Sequence, residues 1–138
     1  MLDHALESAF ADFLQTDTSL AGAHFFTGHE DEEHQLPAVT VTSKSESLSG
    51  SAVVFRTDVT LIIESEAHDN VPDEHADLVE KVRAELADKA AVIAAINIGN
   101  QVDLYGYAFT ASSLDVDGKR FRTTLTLKAG YGIPKEAI

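Results

Sequence analysis

The chain has 138 residues, 44% of them hydrophobic and 24% charged, the balance of a folded domain and not of a disordered one. It contains no cysteine, which excludes a disulfide framework and a cysteine-based metal site. Its 23 acidic against 10 basic residues give a net charge of −13, so the chain as a whole repels nucleic acid, whose affinity for proteins comes largely from Lys and Arg on phosphates.

The opening residues, MLDHALESAF, lack the basic start and long apolar core of a signal peptide, and no apolar run approaches the roughly 18 residues of a membrane-spanning helix. A soluble protein made in the cytoplasm is expected. Leu2, Leu6, Phe10, Phe13 and Leu14 recur at three- and four-residue steps and predict an amphipathic helix over 2–15, with Asp3, Glu7 and Asp12 off its apolar stripe.

Between Asp17 and Gln35 the periodicity fails. This stretch holds Gly22, Gly28 and four consecutive acids, Glu30, Asp31, Glu32 and Glu33, and reads as a solvated acidic loop anchored by Phe25 and Phe26. His24, His29 and His34 lie among the acids at five-residue intervals. His with carboxylate is a possible metal set, but that spacing lines up on one face of neither a helix nor a strand, so no metal or other cofactor is expected.

Residues 36–42, LPAVTVT, predict a strand with Pro37 at its start or at an edge. The serine-rich run 43–51, from Ser43, Lys44, Ser45, Glu46 and Ser47 onward, predicts a flexible hairpin tip. Over 52–66 Val53, Phe55, Val59, Leu61 and Ile63 fall on one face of a long strand, with Arg56, Asp58, Thr60 and Glu64 on the other. Pro72 then opens a second helix, its positive end favoured by Asp73, Glu74 and Asp77 and its apolar stripe made by His75, Leu78, Val79, Val82 and Leu86. Ala90–Ile98 is a short apolar segment read as a further helical turn, stopped by Gly99-Asn100.

The last third is an antiparallel hairpin. Two alternating runs flank Asp115-Val116-Asp117-Gly118, and Asp-Gly between such runs favours a tight turn. Phe121, Thr123, Leu125, Leu127 and Ala129 share one face of the second run; Tyr105, Tyr107, Phe109 and Ala111 share one face of the first. The order α-β-β-α-β-β predicts a single α+β domain over 1–138, with a four-stranded antiparallel sheet packed on one face by two helices.

No chemistry is legible in motifs. There is no Gly-x-Ser-x-Gly elbow and no glycine-rich phosphate cradle, and Gly130-Tyr131-Gly132 has no helix after it; the expectation is a non-enzymatic protein. The bases cluster, with Lys119, Arg120, Arg122 and Lys128 inside ten residues. They read either as a solvated strand face with cross-strand pairing or as a patch that meets an acidic surface of another subunit.

With the elements in hand, the chain resembles the tail-terminator (tail-completion, minor tail) proteins of long-tailed phages. The likeness rests on Leu36-Pro37-Ala38-Val39, the strand VVFRTDVTLIIES at 53–65, the helix segment His75-Ala76-Asp77-Leu78-Val79-Glu80-Lys81-Val82, and the ending LTLKAGYGIP at 125–134. It implies a virion structural protein of the tail-neck region, assembled in the host cytoplasm. Such a subunit forms a ring, a hexamer in that family, which caps the tail tube, stops its polymerisation and offers the surface on which the head docks. The implied partners are copies of itself, the tail tube protein and a head-completion or neck protein; DNA passes through without specific binding, and no membrane is involved. A ring closed head to tail needs two unlike surfaces on each subunit. Lys119, Arg120, Arg122 and Lys128 could supply one, and Asp73, Glu74, Asp77 and Glu80 the other. The tip at Ser43–Ser47 and the acidic loop at Glu30–Glu33 are expected to project towards a partner or the lumen. The alternative is a stand-alone small-molecule binder with a pocket walled by Tyr105, Tyr107 and Phe109.

Overall fold

A computed structural model describes residues 2–16, 20, 22–28, 35–47, 54–66, 73–99, 102–117 and 120–133. Its elements in chain order are α1 (Leu2–Gln15), β1 (His24–Thr27), β2 (Ala38–Ser47), β3 (Val54–Glu66), α2 (Asp73–Ala87), α3 (Lys89–Ile98), β4 (Asp103–Asp117) and β5 (Arg120–Gly132). The strands form one sheet in the order β1-β2-β3-β5-β4, with β1 parallel to β2 and every other neighbour pair antiparallel.

This corrects the expected four antiparallel strands and two helices: among the described residues the sheet is mixed and five-stranded, and there are three helices. The extra strand, HFFT, is four residues long, too short to display alternation, and it sits among glycines and acids that read as loop. Its Phe25 packs on the core from the sheet edge. The third helix, KAAVIAAINI, is the segment read as a further helical turn over Ala90–Ile98; it is apolar nearly all round and so lacks the 3.6-residue stripe that would mark it as a full helix, although alanine is the best helix former. The Asp88 side chain caps it by accepting from the Ala91 N–H at 3.3 Å, and Gly99 closes it.

The serine run is corrected too. Of the expected flexible tip over 43–51, Ser43–Ser47 is the second half of β2, paired from Ser43↔Val59 to Ser47↔Phe55, and 48–51 lie outside the described residues. Opposite charges face each other across the pair, Lys44 against Asp58 and Glu46 against Arg56, and such pairs support a strand that composition alone does not. The final hairpin is tighter than expected: Asp115 to Asp117 belong to β4, and Asp117 is the register partner of Arg120, so only residues 118–119, outside the described set, connect the strands.

All three helices lie on one face. From α1, Leu6, Phe10 and Leu14 are fully buried; α2 contributes Val82 and Leu86, and α3 contributes Val92 and Ile96. They meet Val39 and Val41 of β2, Val59, Leu61 and Ile63 of β3, and Leu125, Leu127 and Tyr131 of β5. Each fully buried Leu or Ile contributes about 2 kcal/mol by leaving water, so this layer is what holds the domain. Two bulges in β4, at Tyr105 and Thr110, break its alternation. Leu104 and Tyr107 are therefore both buried while Tyr105 stands 55% exposed, which corrects the expected common face for Tyr105 and Tyr107.

Candidate interaction surface

The face of the sheet away from the helices carries Lys44, Glu46, Arg56, Asp58, Glu64, Arg122 and Lys128. Across it the register sets Thr42, Thr60 and Thr126 in one row and Lys44, Asp58 and Lys128 in the next. Lys44, Glu46, Arg56, Asp58 and Lys128 line an open groove of about 440 Å³. Arg56 is bound to Glu46 at 3.0 Å. The structure thus brings together Lys44, Ser45 and Glu46 from the expected partner tip with Lys128 from the expected basic patch.

The rest of that patch is engaged within the chain. Arg120 and Arg122 both reach Glu64 Oε2, at 3.1 and 3.2 Å, and Glu64 is only 5% exposed. One carboxylate oxygen accepts from two guanidinium groups, a charge-assisted arrangement that ties β5 to β3. Lys119 lies outside the described residues. On α2, Glu74, Asp77 and Glu80 are exposed, with Lys81 reaching Asp77 at 3.5 Å, while the Asp73 side chain is outside the described set. The acidic helix face therefore stands open, whereas Arg120 and Arg122 already hold a carboxylate.

Sequence reasoning missed two buried polar links. Glu7, expected off the apolar stripe, is 5% exposed. Its Oε2 accepts from the Ser43 backbone N–H at 2.7 Å and from the Ser43 hydroxyl at 3.2 Å. Among the described residues the last bond from the β1 side is Gly28 N–H to Val41 O at 3.0 Å, and Glu7 holds the edge of β2 just beyond it. Gly28 turns away there at φ 79°, a region that favours glycine, with a Cβ position 3.9 Å from Glu7 Oε1.

The second link joins α2 to the sheet. His75 Nδ1 lies 2.8 Å from Ser65 Oγ and its Nε2 lies 2.7 Å from Thr123 Oγ1, with the imidazole against the Phe121 ring. Both ring nitrogens are held by hydroxyls, and burial pushes the imidazole below its ordinary value of 6.5. A His–Ser contact is also the start of a nucleophilic dyad, but here the second nitrogen is held by a hydroxyl as well and all three side chains are buried, so the cluster acts as a clamp. The sequence placed His75 on the core stripe but could not pair it with Ser65 and Thr123, 10 and 48 residues away.

The aromatic pocket of the alternative reading is not built. Tyr107 is in the core, its hydroxyl donating to Leu86 O at 2.5 Å and its ring meeting the edge of Phe10. Phe109 packs on the core under the Arg83 guanidinium, and Tyr105 is thrown outward by the bulge. A cleft of about 330 Å³ lies instead between α2, the end of β3 and the segments leading into β1 and β2, lined by Leu20, Pro37, Ser65, Glu66, Glu74 and Lys81 among others. Among the described residues no three His, Asp or Glu gather as a metal would require; His29 and His34, like Glu30–Glu33, lie outside that set.

No protein-family model and no curated protein matches this chain in sequence. Its fold does match a chain in the solved virion of a native gene transfer agent particle, with a TM-score of 0.57 at 14% identity, over 92% of this chain and 94% of that one. At that identity the two share a fold, running nearly end to end in both.

Proposed function

We propose that the protein is a virion structural subunit, a ring-forming tail terminator or tail-completion protein that caps the tail tube, stops its growth and presents the surface on which the head docks. The observation that carries this reading is the fold likeness to a chain of a gene transfer agent virion, over almost the full length of both. The segments at 36–39, 53–65, 75–82 and 125–134 resemble the same class on separate grounds. The subunit is non-enzymatic and works at the tail-neck junction, as a hexameric ring, with the tube protein on one side and a head-completion or neck protein on the other. The net charge of −13 supports a conduit through which DNA passes without being held, because a negative wall repels phosphates. The test is to polymerise tail tube subunits of the same particle with and without the purified protein, and to measure tube length and end decoration by electron microscopy. Capped tubes of arrested length are expected. Tubes that grow on undecorated would overturn the reading.

A further inference from the structure

We infer that subunits join edge to edge through their sheets, the free half of β4 in one copy adding to β1 of the next as an antiparallel strand. The inference deepens the ring-forming reading and rests on it for closure.

Three observations carry it. First, β4 is fifteen residues long and pairs on one side only, with β5. Its other edge is covered at the start, where the Asn97 amide bonds both the N–H and the C=O of Leu104 at 2.7 and 3.2 Å. Beyond Phe109 no such cover is found among the described residues. Every described side chain from Thr110 to Val116 is exposed, including Leu114 at 61% and Val116 at 58%. Proteins usually guard such an edge with charges, above all Lys, with Pro, with bulges or with a cover; residues 103–117 contain no Lys, Arg or Pro, and past the bulge at Thr110 the pairing with β5 runs unbroken from Ala111 to Asp117.

Second, the opposite edge of the sheet is β1, and its direction fits. β1 is parallel to β2, and three antiparallel steps through β3 and β5 make β4 run against it. A copy placed alongside in the same orientation therefore offers β4 an antiparallel neighbour, with all helices on one side of the joint sheet. The two edges are unlike, which is what a head-to-tail ring needs.

Third, the edges are level and chemically matched. Following register partners across the sheet, one row runs Phe25, Val39, Ile63, Thr123, Leu114, and the next runs His24, Ala38, Glu64, Arg122, Asp115. Thr27, Val41, Leu61, Leu125 and Ser112 form another. Pairing without axial slip thus sets exposed Leu114 against half-buried Phe25 on the helix side and Asp115 beside His24 on the open side. Level edges favour a closed ring over a helical filament.

The chain has no cysteine, so covalent capture is clean. Thr27→Cys and Ser112→Cys, made separately, change a half-buried and an exposed position on matching rows. Mixed and oxidised, they should give a disulfide-linked dimer on a non-reducing gel, while neither alone does. The double variant should give a ladder ending at a ring, and adding Leu114→Lys should cut the yield several-fold with an unchanged circular dichroism spectrum. A mixture that stays monomeric, or dimers from Ser112→Cys alone, would overturn the inference. If crosslinking succeeds but tubes grow uncapped, the edge pairing stands and the terminator reading falls. If tubes are capped without crosslinking, the reverse holds.

Discussion

Glu7 Oε2 lies 2.7 Å from the backbone nitrogen of Ser43, at the point where β1 ends and β2 continues paired with β3. A helix side chain thereby replaces the missing strand as acceptor for a buried edge N–H. Glu7→Ala leaves that donor without its carboxylate and should cost about 1–3 kcal/mol, read as a lower denaturation midpoint. Glu7→Gln keeps an acceptor oxygen and should cost less. Equal losses for the two variants would show that the carboxylate does not act through this bond.

The His75 clamp makes stability depend on pH in a defined direction. Burial depresses the folded-state value, so the unfolded chain binds the proton more readily. Stability contributed by neutral His75 is then full above about 6.5 and falls as pH drops below it, levelling off below the folded value. Melting temperatures from pH 8 down to pH 5 should show this loss, and His75→Gln should flatten that part of the profile. An unchanged slope in the variant would assign the effect to other groups.

Tyr107 acts at the opposite end of the scale. Burial, with Asp88 nearby, pushes its hydroxyl up to about 12. The unfolded chain loses this proton first, so stability should fall as pH rises above about 10. Tyr107→Phe should remove that alkaline decline and, by losing the bond to Leu86 O, cost about 1 kcal/mol at neutral pH. An alkaline decline that survives the substitution would rule this out.

Glu64 holds Arg120 and Arg122 together, and removing it leaves two guanidinium groups facing one another. The guanidinium side chains are 29% and 36% exposed, so the loss in Glu64→Ala should lie between that of a surface pair and a buried one, about 2 kcal/mol. Urea denaturation measures it. A change below about 0.5 kcal/mol would mean the trio is screened as a surface pair is.

The sequence by itself determined the elements whose side chains repeat with the period of the backbone. The α1 stripe of Leu6, Phe10 and Leu14, the alternation of β3 and the burial of Phe121, Thr123, Leu125, Leu127 and Ala129 in β5 are all legible without a structure. Only the tertiary structure decided the rest, because those outcomes depend on partners distant in the chain. HFFT becomes a strand through parallel pairing with β2, and Ser43–Ser47 becomes one through β3. Cross-strand pairing is one of two sequence readings for Arg120 and Arg122, and only folding names Glu64 as the partner, while Glu7 reads as solvated until Ser43 arrives beneath it. Periodicity reports which face of an element is buried; it carries nothing about which element lies alongside, and the two sheet edges, level and unlike, exist only once all five strands are paired.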